Sequence, residues 1–566
     1  MDSFFKSKEK IGLAALLGLS FVFLFFGWKL FWFLTDDAFI AFRYVSNSVL
    51  GHGYVWNPPP FKPVEGYTSF LWILLLDGVW RLFGVAPPAS ANVLSLVFSV
   101  LTLSLVAVWV MRLPWSSRLK KGRVLWLGFA LAGILANRTF LTWTSSGLET
   151  AMFNFFFTLW LYCALRLPAG SPRWAFGLSG STVLLYLTRP DGLLVLVATV
   201  ILMAVVWLDQ KRPSGGFIRE GAGALPLVLI PLHLIWRKAV YGEWLPNTYY
   251  AKTVAGRIWP ESGIRYAASF ILEYALWIWA AVLIVLLIQI TRKRKGRRKP
   301  AGSLPSQKPN RFVPWVVLST VAAHVLYYTV VVGGDHFEFR VYSHLVPLAF
   351  VSFLWMLNRL SASPLLVALL SAALILCSCV IPWPHWYLCR HYKTRQETGF
   401  LKVPVAGWIE SKLPARLPLV GGVLRFYDRQ QAWLISHMVC TRYQEHKTFY
   451  LHLIQVMPSR EQGMAMPSDG FPVITTGYAG VLSWVLPKAN VIDLLGLNDY
   501  VVARNPTSDV PIAMAHERRP PPGYVECFAP NVAIQDKRIV VRPRTVPLVA
   551  DSIVSCERRY IGEQKK

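Results

Sequence analysis

Apolar residues gather into long stretches separated by short polar turns, at 11–33, 90–111, 124–141, 148–166, 174–188, 191–208, 223–241, 266–290, 313–332, 343–358 and 364–381. Each stretch is near the length that a hydrocarbon core of about 30 Å requires of a helix. The pattern therefore predicts about eleven membrane spans. The first follows Lys6, Lys8 and Lys10, lacks a small-residue cleavage site, and reads as a retained helix that starts in the cytoplasm. After about position 385 the chain becomes mixed and turn-rich. Short β-type runs, FPVITT (471–476) and NVIDLLG (490–496), flank a short apolar helix there. The expected fold is a polytopic α-helical membrane domain over 1–384, with a first outer loop at 34–89, and an extracytoplasmic α/β domain over 385–566.

One more apolar stretch, 67–83, sets the orientation. If it crossed the bilayer, the basic segments 112–123 and 291–311 would face outward, against the bias that keeps Lys and Arg inside. It is therefore expected to lie along the outer surface, with Trp72 and Trp80 at headgroup level. The basic segments 112–123, 209–220 and 291–311 then all face inward.

Composition agrees with this reading: 54% of residues are hydrophobic and only 16% charged, which excludes an ordinary soluble globular protein. The net charge of +28, from 58 Lys+Arg against 30 Asp+Glu, would otherwise raise nucleic-acid binding. The densest basic run, 291–311, lies between two spans without interleaved aromatics, so its charge reads as topology and anionic-lipid contact, with no nucleic acid as partner. Of the cysteines, Cys163, Cys377 and Cys379 fall in spans, whereas Cys389, Cys440, Cys527 and Cys556 fall outside, where disulfides are permitted. Four cysteines allow three pairings; Cys527 with Cys556 is favoured.

With that topology the unusual polar residues collect at one membrane boundary. TDDAFIAFRY (35–44) leaves the first span and NPPPFKPVEGYTSF (57–70) closes the same loop. SSGLET (145–150), TRPDG (188–192), YGEWLPNTYYAKT (241–253) and GGDHFEFR (333–340) follow at four further outer turns. Asp36 and Asp37 are adjacent acids at a helix exit, where a carboxylate beside a cavity can take the proton of a sugar hydroxyl. Asp335 and His336 follow Gly333 and Gly334, which permit a tight turn toward a ligand. Arg43, Arg189, Lys252 and Arg340 suit a lipid phosphate, Arg as a bidentate fork and Lys as a point charge. Glu65, Tyr67, Glu149, Asn247, Tyr249 and His336 are candidate substrate contacts in the same turns, and Tyr478, Trp484 and Tyr500 are aromatic candidates for an acceptor glycan. Each has an ordinary role as well: snorkelling for the cations, helix-start charge for Glu149, core packing for the aromatics.

Taken together, DDAFIAFRY with GHGYVWNP and VEGYTSFLW, then GLET, RPDG, YGEWLPNTYYAK, GGDHFEFR, TTGYAGVLSW and VIDLLGLNDYVVA resemble polyprenyl-phosphate-dependent membrane glycosyltransferases of the GT-C class. The likeness is to the family containing the mycobacterial terminal β-(1→2) arabinofuranosyltransferase, and it covers most of the chain. The resemblance implies an enzyme of the bacterial plasma membrane that moves a pentofuranose, D-arabinofuranose by analogy, from a polyprenyl-phosphate lipid to a cell-envelope glycan. It places the catalytic acids at Asp36 and Asp37, with Asp335 as a further carboxylate. Some members of the class use a divalent cation, which would sit near Asp36 and Asp37. Two rivals predict different behaviour: a transporter or flippase of a lipid-linked sugar would move the lipid without transferring the sugar, and an envelope or motility scaffold would tolerate loss of Asp37.

Overall fold

The computed structural model describes residues 7–209, 221–252, 260–296, 312–382, 395–398, 418–505 and 518–563. Helices occupy the apolar stretches, among them Ser7–Leu30, Pro87–Met111, Thr150–Arg166, Pro172–Thr188, Gly192–Asp209, Leu345–Arg359 and Pro364–Val380. Their starts are chemically marked. Pro172 and Pro364 occupy first-turn positions, where a missing N–H costs nothing, and Ser171 and Ser363 cap them by accepting from the amides of Trp174 and Leu366.

Among the described residues five helices are long and apolar enough to cross a membrane, or six if one bent pair counts as a single span. This is a multi-pass helical membrane protein. The bent pair corrects one expectation. The stretch 266–290 is not a straight span: Pro260–Glu273 and Leu276–Gly296 meet at 85°. Ala275 turns the chain with a φ of 51°, and Glu273 is pinned by ion pairs that a lipid-facing helix could not offer. The first half packs between the Tyr327–Val332 turn of the bundle and the Pro418–Ser436 helix of the tail. The basic segments at 210–220 and 297–311 lie outside the described residues, as does Cys389.

In the first outer loop, Asp36–Val49 forms a helix capped by Thr35, whose hydroxyl accepts from the Asp37 amide. Phe70–Phe83 forms a second helix, of 14 residues, too short to be among the candidate spans. Its tryptophans do not sit as expected. Trp72 is 1% exposed and donates to the Gly147 carbonyl, and Trp80 leans on Trp484 of the tail at 5.7 Å. Packing against protein replaces the headgroup contact because this helix lies against the Asp36–Val49, Pro87–Met111 and Pro172–Thr188 helices, with the tail meeting it at Trp80.

The tail holds the expected strands. β1 (Val473–Thr476) and β2 (Asn490–Asp493) pair in parallel, joined by the Ala479–Val485 helix. A further hairpin, β3 (Val532–Gln535) with β4 (Arg538–Val541), is antiparallel. Cys527 and Cys556 form a disulfide, while Cys440 is buried and free. The core is continuous between bundle and tail: Phe31 and Phe33 meet Tyr443, and Phe39 and Phe42 meet Trp484. The expected division at 384/385 lies outside the described residues.

Candidate functional site

The Asp36–Val49 helix runs alongside the Ala479–Val485 helix and serves both of its ends. At the N-terminal end the Asp36 carboxylate accepts from the amides of Val481 (2.7 Å) and Gly480 (3.2 Å). At the C-terminal end Arg43 donates to the carbonyls of Ser483 (2.8 Å), Leu486 (3.3 Å) and Ala489 (2.8 Å). An acid at the positive end and a base at the negative end complement the dipole and satisfy peptide groups that the helix leaves open. Arg43 also donates to the Trp56 carbonyl and the Asn57 side chain, and is fully buried. The approach is close: a Cβ on Gly480 would come within 1.8 Å of the Asp36 carbonyl oxygen, so only glycine fits.

Burial pushes Asp36 up to about 7, against the two amide bonds that favour its charged form, and neighbouring Asp37 adds to the rise. Asp36 and Arg43 are therefore clamps between the first loop and the tail. Arg43, the expected donor-phosphate contact, has its donors on carbonyls inside the protein.

Asp37 differs. Its side chain is exposed, and its amide is held by the Thr35 cap. The 145–150 turn is fastened beneath it by reciprocal backbone bonds, Thr35 to Ser146 (3.1 Å) and Ser146 to Phe33 (3.0 Å). Gly147, at a φ of 80°, leaves room for Ala38, whose Cβ would lie 2.7 Å from any added Cβ.

Lys252 ends the short Asn247–Lys252 helix. Its side chain keeps solvent access while surrounding protein strips part of its hydration, and this desolvation lowers its pKa. Asp37 and Asp335 act on it in the opposite sense, and Arg340 and Arg189 reinforce the fall. Residues from four separate outer turns thus share one electrostatic neighbourhood. Within it Arg340 grips Asp335 as a fork, Nε at 2.8 Å and Nη2 at 3.2 Å. Arg189 is committed to Asp191 (2.8 Å) and Glu149 (3.1 Å), and Tyr328 donates to the same Asp191 (2.6 Å).

Other expected contacts hold the scaffold. Glu65 pairs with Arg237 at 2.5 Å, and burial still raises it to about 7. Tyr67 shares a hydrogen bond with Tyr241 at 3.0 Å, and the Asn247 amide donates to the carbonyls of Gly496, Leu497 and Asp499 in the tail. Glu65, Tyr67, Glu149 and Asn247, the expected substrate contacts, are thus placed among buried protein partners. Tyr249 is 49% exposed, and half-buried His336 bonds the Met438 carbonyl at 2.7 Å.

A divalent cation at Asp36 and Asp37 fits poorly, because the Asp36 oxygens already hold two amides, and among the described residues no three His, Cys, Asp or Glu side chains group to hold a metal.

Sequence reasoning missed a network under the 333–340 loop. Arg138 contacts Glu273 (2.7 Å) and Glu338 (2.6 Å), and Arg442 contacts Glu338 (2.8 Å) and Glu273 (3.4 Å). Tyr427 and Tyr274 donate to Glu273 as well. Glu338 stands inside the GGDHFEFR motif, which was the available signal, but its partners come from distant segments.

No protein-family model matches the chain. It is 28% identical over 342 residues to the terminal β-(1→2)-arabinofuranosyltransferase of Mycobacterium tuberculosis, a match covering 57% of this chain and 53% of that protein. The protein of the same name from Corynebacterium glutamicum is 25% identical over 350 residues, covering 58% and 48%. ArnT from Cupriavidus metallidurans bound to undecaprenyl phosphate aligns at a TM-score of 0.49 with 11% identity, covering 86% of each chain. The chain spans about half the length of the curated relatives it matches, and along that span it resembles terminal β-(1→2)-arabinofuranosyltransferases.

Proposed function

We propose that this protein is a membrane glycosyltransferase that moves a pentofuranose, D-arabinofuranose by its likeness, from a polyprenyl-phosphate donor to an envelope glycan outside the plasma membrane. The observation that carries the reading is the convergence of Asp37, Lys252, Asp335, Arg340 and Arg189 from four outer turns into one electrostatic neighbourhood. In the reaction the acceptor hydroxyl attacks the anomeric carbon and the bond from that carbon to the phosphate oxygen breaks. The leaving phosphate carries away the bonding pair. Asp37, exposed and anchored, takes the hydroxyl proton. Lys252, its ammonium partly desolvated, faces the developing phosphate charge, with Arg340 beside it. Asp335 holds Arg340 in place, and its two oxygens are engaged in doing so. Phosphate is a good leaving group, so positioning and charge stabilisation supply the catalysis without a separate acid.

The test compares envelope glycans of wild-type and Asp37→Ala cells by mass spectrometry, alongside transfer by the purified protein from a polyprenyl-phosphate pentofuranose. Loss of a terminal pentose in the variant supports the reading. Lipid translocation without sugar transfer by the wild-type protein overturns it in favour of a transporter, and an unchanged glycan profile in the variant removes Asp37 from the chemistry.

A further inference from the structure

Three tail aromatics stand near the first outer loop, and the structure separates them. Trp484 is 7% exposed, wedged between Phe39 and Phe42 with the Arg460 guanidinium 3.8 Å above it. Tyr500 is occupied on its ring by Arg504 at 3.6 Å and at its hydroxyl by Glu243 at 2.9 Å. Tyr478 is 53% exposed, and its one aromatic neighbour among the described residues is Phe449, edge to face at 5.2 Å.

An exposed ring on a floppy loop would mean little, but Tyr478 sits on a fixed backbone. Thr476 bonds it from both sides, its hydroxyl accepting from the Tyr478 amide (2.9 Å) and donating to the Tyr478 carbonyl (3.0 Å). Two residues later Gly480 lies against the Asp36 backbone and donates to the Asp36 carboxylate. Asp36 is peptide-bonded to Asp37. The open ring and the open acid are thus carried by one rigid unit, in which Asp36 is the rivet and Gly480 the contact face.

Sugars present an apolar C–H face that packs on an aromatic ring while their hydroxyls stay hydrated, and a tyrosine offers an added hydroxyl partner. We infer that Tyr478 is the platform on which a sugar ring of the acceptor glycan stacks, delivering its hydroxyl to Asp37. The inference rests on the glycosyltransferase reading for the role of Asp37, but the binding itself is measured apart from catalysis.

The experiment titrates the full-length protein in nanodiscs with a synthetic arabinofuranose oligosaccharide, by calorimetry, and separately measures transfer kinetics. Tyr478→Ala is expected to weaken oligosaccharide binding and raise the acceptor KM by about tenfold or more, with donor KM unchanged. Tyr478→Trp and Tyr478→Phe restore both, because a ring is what the site needs. Asp37→Ala keeps the binding and loses the transfer. If Tyr478→Ala binds the oligosaccharide as wild type does, the platform is wrong. A parallel change in kcat and both KM values, unrescued by Trp or Phe, also overturns it by showing a structural role. If the wild-type protein binds the oligosaccharide through Tyr478 but transfers nothing, the enzyme reading falls and the sugar platform stands.

Discussion

The 333–340 loop contributes charges to two neighbouring assemblies that are built in opposite ways. Through Glu338 it enters a closed network with Arg138, Glu273 and Arg442, in which both Glu residues and Arg442 have no exposed side-chain surface. Through Asp335 and Arg340, each about an eighth exposed, it enters the open neighbourhood of Lys252 and Asp37. The first pairs two cations with two anions and completes them with tyrosine hydroxyls, which is the condition under which buried charge is tolerated. The second leaves Asp37 accessible and Lys252 partly desolvated, which favours a charged ligand arriving from outside. Closure marks the first assembly, and solvent access marks the second.

Four perturbations separate the two assemblies. The largest effect is expected from Asp37→Asn, which should cut the transfer rate by about 10²–10⁴-fold while the thermal midpoint stays put; a fall in Tm equal to that of the network variants would move Asp37 into the framework. Glu338→Ala leaves two buried guanidiniums facing one carboxylate and should cost about 3–5 kcal/mol, read as a large drop in the unfolding midpoint in detergent. An unchanged midpoint there would erase the contrast. Lys252→Gln should raise the donor KM by about tenfold, as loss of one charge-assisted contact does, with little change in stability. An altered acceptor KM with an unchanged donor KM would reassign this lysine.

The smallest effect is expected from Asp36→Asn, at about 1 kcal/mol, because one of two amide acceptors is lost. Its pH signature is sharper than its size. The folded-state pKa of Asp36 lies at about 7, above the ordinary 3.8, so the native protein holds a proton that the unfolded chain has released. Stability from this group therefore falls as pH rises from about 4 to about 7. Asp36→Asn should flatten that slope, and an unchanged slope would show that the carboxyl is not buried as described.

The sequence announced the helices and the outer turns because charge and glycine stand out against apolar runs. It announced β1 and β2 because FPVITT and NVIDLLG are rich in β-branched residues. It could not separate Asp36 from Asp37: both begin the same helix, and the amides that bury one of them lie 444 and 445 residues away. The fate of Arg43 was hidden for the same reason, with its carbonyl acceptors in the tail 440 to 446 residues along. The 85° bend after Glu273 left no Gly or Pro at the break, and Ala275 carries the positive φ instead. The β3–β4 hairpin turns at Asp536 and Lys537, where an Asn-Gly or Asp-Gly pair would have signalled it.

The rivet between Asp36 and residues 480–481 also sets a timetable. A ribosome makes the first outer loop early, yet the amides that hold Asp36 follow only more than four hundred residues later. A truncated or half-inserted chain therefore carries every motif of its opening segment and still lacks the amides that hold Asp36.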